Sequence, residues 1–147
     1  MKTSVSVLLE RKGATVQTIS PDKTVADAVR MMNDLKISSV VVAEDGKLVG
    51  IFTERDVLRR VVGDGRDPQT TPMREVMSTG IATLTTENTI EDALGTFADK
   101  VCRHLPVMDG DKLVGMISVG DVTRWMTEMH RAEAEHLKNY ISGGFPT

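Results

Sequence analysis

The chain repeats itself. Slid along by 65 residues, residues 18–60 lie over residues 83–125 without a gap, and 13 of the 43 pairs are identical. Among them are Thr24/Thr89, Asp27/Asp92, Ala28/Ala93, Gly50/Gly115 and Asp56/Asp121. A duplication restricts the fold to two like units. Each unit of roughly 60 residues would bury little surface alone, so the two are expected to pack against each other.

Within a unit the pattern is mixed. Residues 15–19 alternate like a short strand, and Ser20-Pro21-Asp22 breaks it. Thr24 then stands three residues before Asp27, the spacing of a capping box. Val25, Ala28, Val29, Met32 and Leu35 follow as one apolar helical stripe. Residues 39–43 are rich in β-branched side chains, Asp45-Gly46 signals a hairpin, and residues 47–53 supply its partner strand. Residues 56–62 resume a helical pattern. The second copy repeats each step. Thr89 and Asp92 cap, Ile90, Ala93, Leu94, Phe97 and Val101 make the stripe, and Asp109-Gly110 marks the turn. The predicted class is α/β (α+β), two pseudo-symmetric β-α-β-β-α repeats packed as one module. The expected divisions are a first repeat at 5–63, a linker at 64–77, a second repeat at 78–128, and a C-terminal helix and tail at 129–147. Beyond Arg124, Trp125, Met126, Met129 and Leu137 continue a helical pattern, and Phe145-Pro146-Thr147 forms the tail. Trp125, Met126 and Met129 suit either a partner surface or packing on their own domain.

Charge and composition exclude several classes. A net charge of −3 advertises neither nucleic acid nor an anionic membrane. One cysteine, Cys102, allows no internal disulfide and no cysteine-cluster metal site. It is expected to pack as a small hydrophobe rather than to form a dyad with His104. His130 and His136 are six apart on a helix, so they do not share a face and no metal is expected there. No apolar run of 18 residues suggests a membrane span, and the first seven residues lack a secretory apolar stretch. The expectation is a cytoplasmic protein.

The chemistry concentrates at one joint. Gly50-Ile51-Phe52-Thr53-Glu54-Arg55-Asp56 and Gly115-Met116-Ile117-Ser118-Val119-Gly120-Asp121 both cross from the last strand to the last helix. A helix start offers unpaired N–H groups to phosphate. A hydroxyl from Thr53 or Ser118 adds a further contact, and an ionised Asp56 or Asp121, acceptor only, suits the two hydroxyls of a ribose. The same pattern is also a plain capping box, as at Thr24/Asp27. Recurrence at the same joint of both copies, behind a glycine each time, is what favours the ligand reading.

These residues resemble a known family. The repeated unit, its Ile19-Ser20-Pro21 to Ala28 opening, the Gly50…Thr53…Asp56 and Gly115…Ser118…Asp121 endings, and Arg103-His104-Leu105-Pro106-Val107 look like a tandem pair of CBS (cystathionine-β-synthase) domains, a Bateman module of the small stand-alone type. The resemblance implies a regulatory module that binds AMP, ADP, ATP, NAD, S-adenosylmethionine or cyclic dinucleotides in two clefts, with no metal required. It also implies a homodimer and an unidentified target protein. Asp56 and Asp121 would take ribose hydroxyls, and Thr53 and Ser118 would reach phosphate. The base would sit near Val16-Gln17-Thr18 in one cleft and Ile81-Ala82-Thr83 in the other. The clefts would cross, with Arg103 and His104 serving the Asp56 cleft and Ser38 and Ser39 the Asp121 cleft, and Pro106 would also touch ligand. Arg55 would add charge to the first, whereas Ser38, Ser39 and Gly120 leave the second with little. The first is therefore expected to prefer the more anionic ligand.

Two other function classes compete. Catalysis is not expected, because no Walker lysine motif, nucleophile elbow or dinucleotide glycine motif occurs and the chain is too short for a (β/α) barrel. A structural dimerisation protein with non-functional clefts remains the alternative.

Overall fold

The structure, a computed structural model, describes residues 3–13 and 15–144. The tail at 145–147 lies outside the described residues. Two three-stranded sheets carry the duplication. In the first, β1 (Thr18–Ile19) runs parallel to β2 (Ser39–Glu44), which pairs antiparallel with β3 (Lys47–Thr53). In the second, β4 (Leu84–Thr85), β5 (His104–Asp109) and β6 (Lys112–Ser118) repeat that order. Both hairpins carry a register shift at matching places, Val42/Ala43 and Val107/Met108. The molecule is an α+β module, as its alternation predicts.

The crossover helices start where the capping pattern places them. In α2 (Val25–Leu35) and α5 (Ile90–Lys100), Thr24 and Thr89 accept from the N–H of Asp27 and Asp92, whose carboxylates accept in return. These hydrogen bonds hold both carboxyls below their ordinary value, the threonine backbone N–H contributing most. The apolar stripes face inward: Val25, Ala28 and Met32 in one half, Ile90, Ala93 and Phe97 in the other.

The second turn differs from expectation by one residue. Asp45 and Gly46 both have positive φ and form the first hairpin's two-residue loop. Asp109, however, pairs with Lys112, so the second loop is Gly110-Asp111, with φ +61 at Gly110. Glycine at the first central position fits a type II′ turn instead.

The opening strands are shorter than the alternation suggests. In the first sheet the Val41 N–H donates to Gln17 O at 3.1 Å, and pairing begins at Thr18. Pro106 stands in the place of Val41 and has no N–H to give, so the second sheet begins pairing only at Leu84. Residues 81–83 are left outside the ladder.

Each repeat is completed by a helix that precedes the other one. Val5, Leu8 and Leu9 of α1 (Val5–Lys12) are buried with Leu84, Ile90, Leu105 and Ile117 of the second half. Met73 and Val76 of α4 (Met73–Val76) are buried with Val25, Val40 and Phe52 of the first. The backbone contacts match: Met73 N–H donates to Lys23 O, and Val5 N–H to Asn88 O, both at 2.8 Å. Residues 5–12, counted with the first repeat on sequence, thus pack on the second.

After β3 the chain makes one α-helical turn, α3 (Glu54–Asp56), and widens into a π-helical segment, Val57–Val62. Its counterpart after β6 is the long α6 (Val119–Gly144). Trp125 is buried in the second core with Met126 packed beside it, which settles Trp125 in favour of its own domain. Strands β3 and β6 touch across the pseudo-twofold.

Candidate functional site

Two clefts open between the halves. The first, about 710 Å³, is lined by Thr53, Arg55, Asp56, Arg103 and His104, expected to share one site, and by Ile81 and Ala82, whose cleft the sequence left open. The second, about 680 Å³, gathers Val16, Gln17, Ser38, Ser39, Ser118 and Asp121. The structure therefore joins Arg103 to Asp56 and Ser39 to Asp121, while His104 and Ser38 line both clefts. Four residues fall elsewhere. Thr83 does not line the first cleft, and Pro106 is buried in β5. Thr18 is paired with Val41 in β1, and Gly120 lines the first cleft rather than the second.

The carboxylates sit where the backbone needs a cap. Thr53 Oγ1 accepts from the Asp56 N–H at 3.3 Å, and Asp56 Oδ2 accepts from the Thr53 N–H at 3.0 Å. Ser118 and Asp121 make the same exchange at 3.1 and 2.9 Å. Each aspartate is 8% exposed. The capping reading of this motif is thus correct as geometry, and one oxygen of each carboxylate is used by it. The second oxygen differs between copies. Asp56 Oδ1 has Arg60 Nε at 3.6 Å, beyond hydrogen-bond distance. Asp121 Oδ1 accepts from Arg124 Nη2 at 2.7 Å, and its Oδ2 also takes Lys12 Nζ at 2.6 Å.

The expected poverty of charge in the second cleft is overturned. Arg55, Arg60, Lys100 and Arg103 line the first cleft, opposed by Glu54 and Asp56. Lys12, Lys36 and Arg124 line the second, opposed by Glu54 and Asp121. Counted over these linings, with histidine neutral, the balances are +2 and +1. Lys12 stands on α1, outside the aligned stretch, whereas Lys36 lies within it opposite Val101 and turns toward the second cleft from the end of α2. Arg124 was visible as the partner of Arg59.

Three titratable groups respond to this setting. Burial works to raise the Asp121 carboxyl, but the Lys12 hydrogen bond and the Ser118 backbone outweigh it, leaving it below its ordinary value. Burial, helped by the Arg103 charge, pushes the His104 imidazole below its ordinary value, so it adds no charge to the first cleft at neutral pH. Its Nε2 lies 3.2 Å from the Ser38 hydroxyl, and both residues line both clefts. Burial raises the Cys102 thiol, which packs against the second core as a small hydrophobe. At the mouth of the first cleft, Val101 ends α5 with φ +50, a strained conformation for a β-branched residue, and is 78% exposed. Lys36 ends α2 in the same left-handed geometry at the second.

Comparison with known proteins agrees with this architecture. The family model described as CBS domain matches residues 14–63 and 73–128. The chain is 34% identical to the mitochondrial CBS domain-containing protein CBSX3 of Arabidopsis thaliana, over 97% of this chain and 74% of that one. It is 37% identical to the CBS domain-containing protein YhcV of Bacillus subtilis, over 73% and 76%. A solved structure of a signal-transduction protein with CBS domains, described as putative, from Burkholderia ambifaria superposes with a TM-score of 0.81. It is 31% identical and covers 84% of this chain and 93% of that one.

Proposed function

Because the chain belongs to the CBS-domain family and carries two copies of the domain, we propose that it is a regulatory module whose clefts bind an adenine nucleotide. AMP, ADP, ATP and NAD are the candidate effectors. Ligand bridging the repeats would bias their packing, and a separate target protein would read the change. The proposed assembly is a homodimer in the cytoplasm, with no catalytic step of its own. No helix among the described residues is long and apolar enough to cross a membrane.

One observation carries this reading: the Asp56 carboxylate, whose Oδ1 has no hydrogen bond among the described residues, lines the same cavity as Arg103 and Lys100 of the opposite repeat. That pairing supplies an acceptor for a sugar diol beside cations for phosphate. The contrary observation is that Asp56 and Asp121 both act as helix caps, which a structural protein with idle clefts would also show.

A thermal-stability scan separates the two. A ligand that binds only the folded state at a hundredfold excess over Kd adds about 2.7 kcal/mol. For a chain of this size that is roughly 5–11 °C in Tm. AMP, ADP, ATP, NAD and S-adenosylmethionine are the compounds to test. A shift with at least one is expected; none with any of them would leave the structural reading standing.

A further inference from the structure

The two carboxylates are not equally available, and the difference lies in α1. Lys12 occupies its last turn, and its Nζ donates to Asp121 Oδ2 at 2.6 Å and to Met116 O at 2.7 Å. In the first repeat the equivalent carbonyl, Ile51 O, is satisfied by the Ser78 backbone N–H at 2.8 Å. A side-chain ammonium thus stands in the second repeat where the first has backbone. With Ser118 N–H and Arg124 also donating, both oxygens of Asp121 are engaged.

We propose that Lys12 is a specificity-determining residue that makes the second cleft select phosphorylated over unphosphorylated nucleosides. This rests on the nucleotide reading above. A ribose diol reaches Asp121 only if a donor lets go. Arg124 is held three residues away on the same helix, whereas Lys12 hangs on a flexible stem from a separate element. Freed from Asp121, its ammonium needs another anion. A nucleoside brings none, so the ion pair with Asp121 is given up without replacement. A nucleoside phosphate brings one into a cleft also lined by Lys36 and Arg124. The lysine therefore opposes the neutral ligand and assists the charged one.

The test is a backbone-amide NMR titration with AMP and with adenosine. Gln17, Ser39 and Asp121 report the second cleft, and Ala82 and Asp56 the first. The proteins are wild type, Lys12→Met and Lys12→Gln, the last keeping a donor without the charge. In wild type, AMP is expected to bind the second cleft more tightly than adenosine. In both variants that preference should fall at least tenfold, with adenosine tightening and the first cleft's preference unchanged. An unchanged preference in either folded variant overturns the proposal, as does AMP binding confined to the first cleft. If neither compound moves either set of amides in wild type, the nucleotide reading fails first and takes this one with it.

Discussion

Replacing Asp56 separates its two roles. In Asp56→Ala the Thr53 N–H loses its 3.0 Å acceptor and the helix start loses half of its reciprocal cap. Losing such a cap destabilises by about 0.5–2 kcal/mol. Against a total of roughly 5–15 kcal/mol the variant stays folded, with Tm down by about 1–8 °C at roughly 2–4 °C per kcal/mol. In Asp56→Asn an amide oxygen still accepts from Thr53, so most of the cap survives. The other oxygen becomes an NH2 group, which cannot accept from a sugar hydroxyl. Hydrogen bonds to a charged group are worth about 1.5–3 kcal/mol each, so losing one acceptor weakens nucleotide binding by about 10- to 150-fold. The assay is calorimetric titration of the nucleotide identified in the thermal scan, beside melting curves of all three proteins. Near-wild-type melting with binding weakened by that factor in Asp56→Asn is the expected pattern. Near-wild-type affinity in Asp56→Asn would show that the carboxylate is a cap and nothing more.

Three further outcomes follow from the geometry. Leu9→Ala should destabilise by about 2–5 kcal/mol, and hydrogen exchange should rise in β4–β6 before β1–β3, because buried Leu9 packs in the second core; equal acceleration in both sheets would contradict the crossed packing. Arg103→Ala should weaken ATP more than adenosine at the first cleft, and equal losses in titration would argue against its facing phosphate. His104 has its folded pKa depressed below its ordinary 6.5, so the unfolded chain binds more protons; its contribution is complete above about pH 6.5 and is lost as pH falls below that. Denaturant melts at pH 7.5 and 5.0 should show a smaller pH-dependent loss for His104→Gln, and an unchanged loss would place the effect elsewhere.

Much of this was legible from residues because it is local. Capping boxes at Thr24 and Thr89, the helical stripes and the Asp45-Gly46 turn are decided within a few positions. The site's cross-repeat pairing followed from the family resemblance, and the cavity linings agree with it for Arg103 and Ser39, whereas His104 and Ser38 are shared by both clefts. What escaped was the non-local part. Helices α1 and α4 are short and lie outside the aligned stretch. Their structural counterparts, Val5 and Met73, stand 68 residues apart rather than 65, so a gapless comparison cannot superpose them. Lys12 escaped with them, and with it part of the charge of the second cleft. The late start of β4 was written in Pro106, but only its missing N–H, weighed against Val41, explains it.

The reciprocal completion of the halves bears on how this chain could be divided. Severed between the copies, one fragment would keep α1 without the sheet it covers, and the other would keep α4 equally estranged from its own. Neither fragment could inherit a whole interior. What began as a doubling in tandem has become mutual dependence, because each copy lends its leader to its twin.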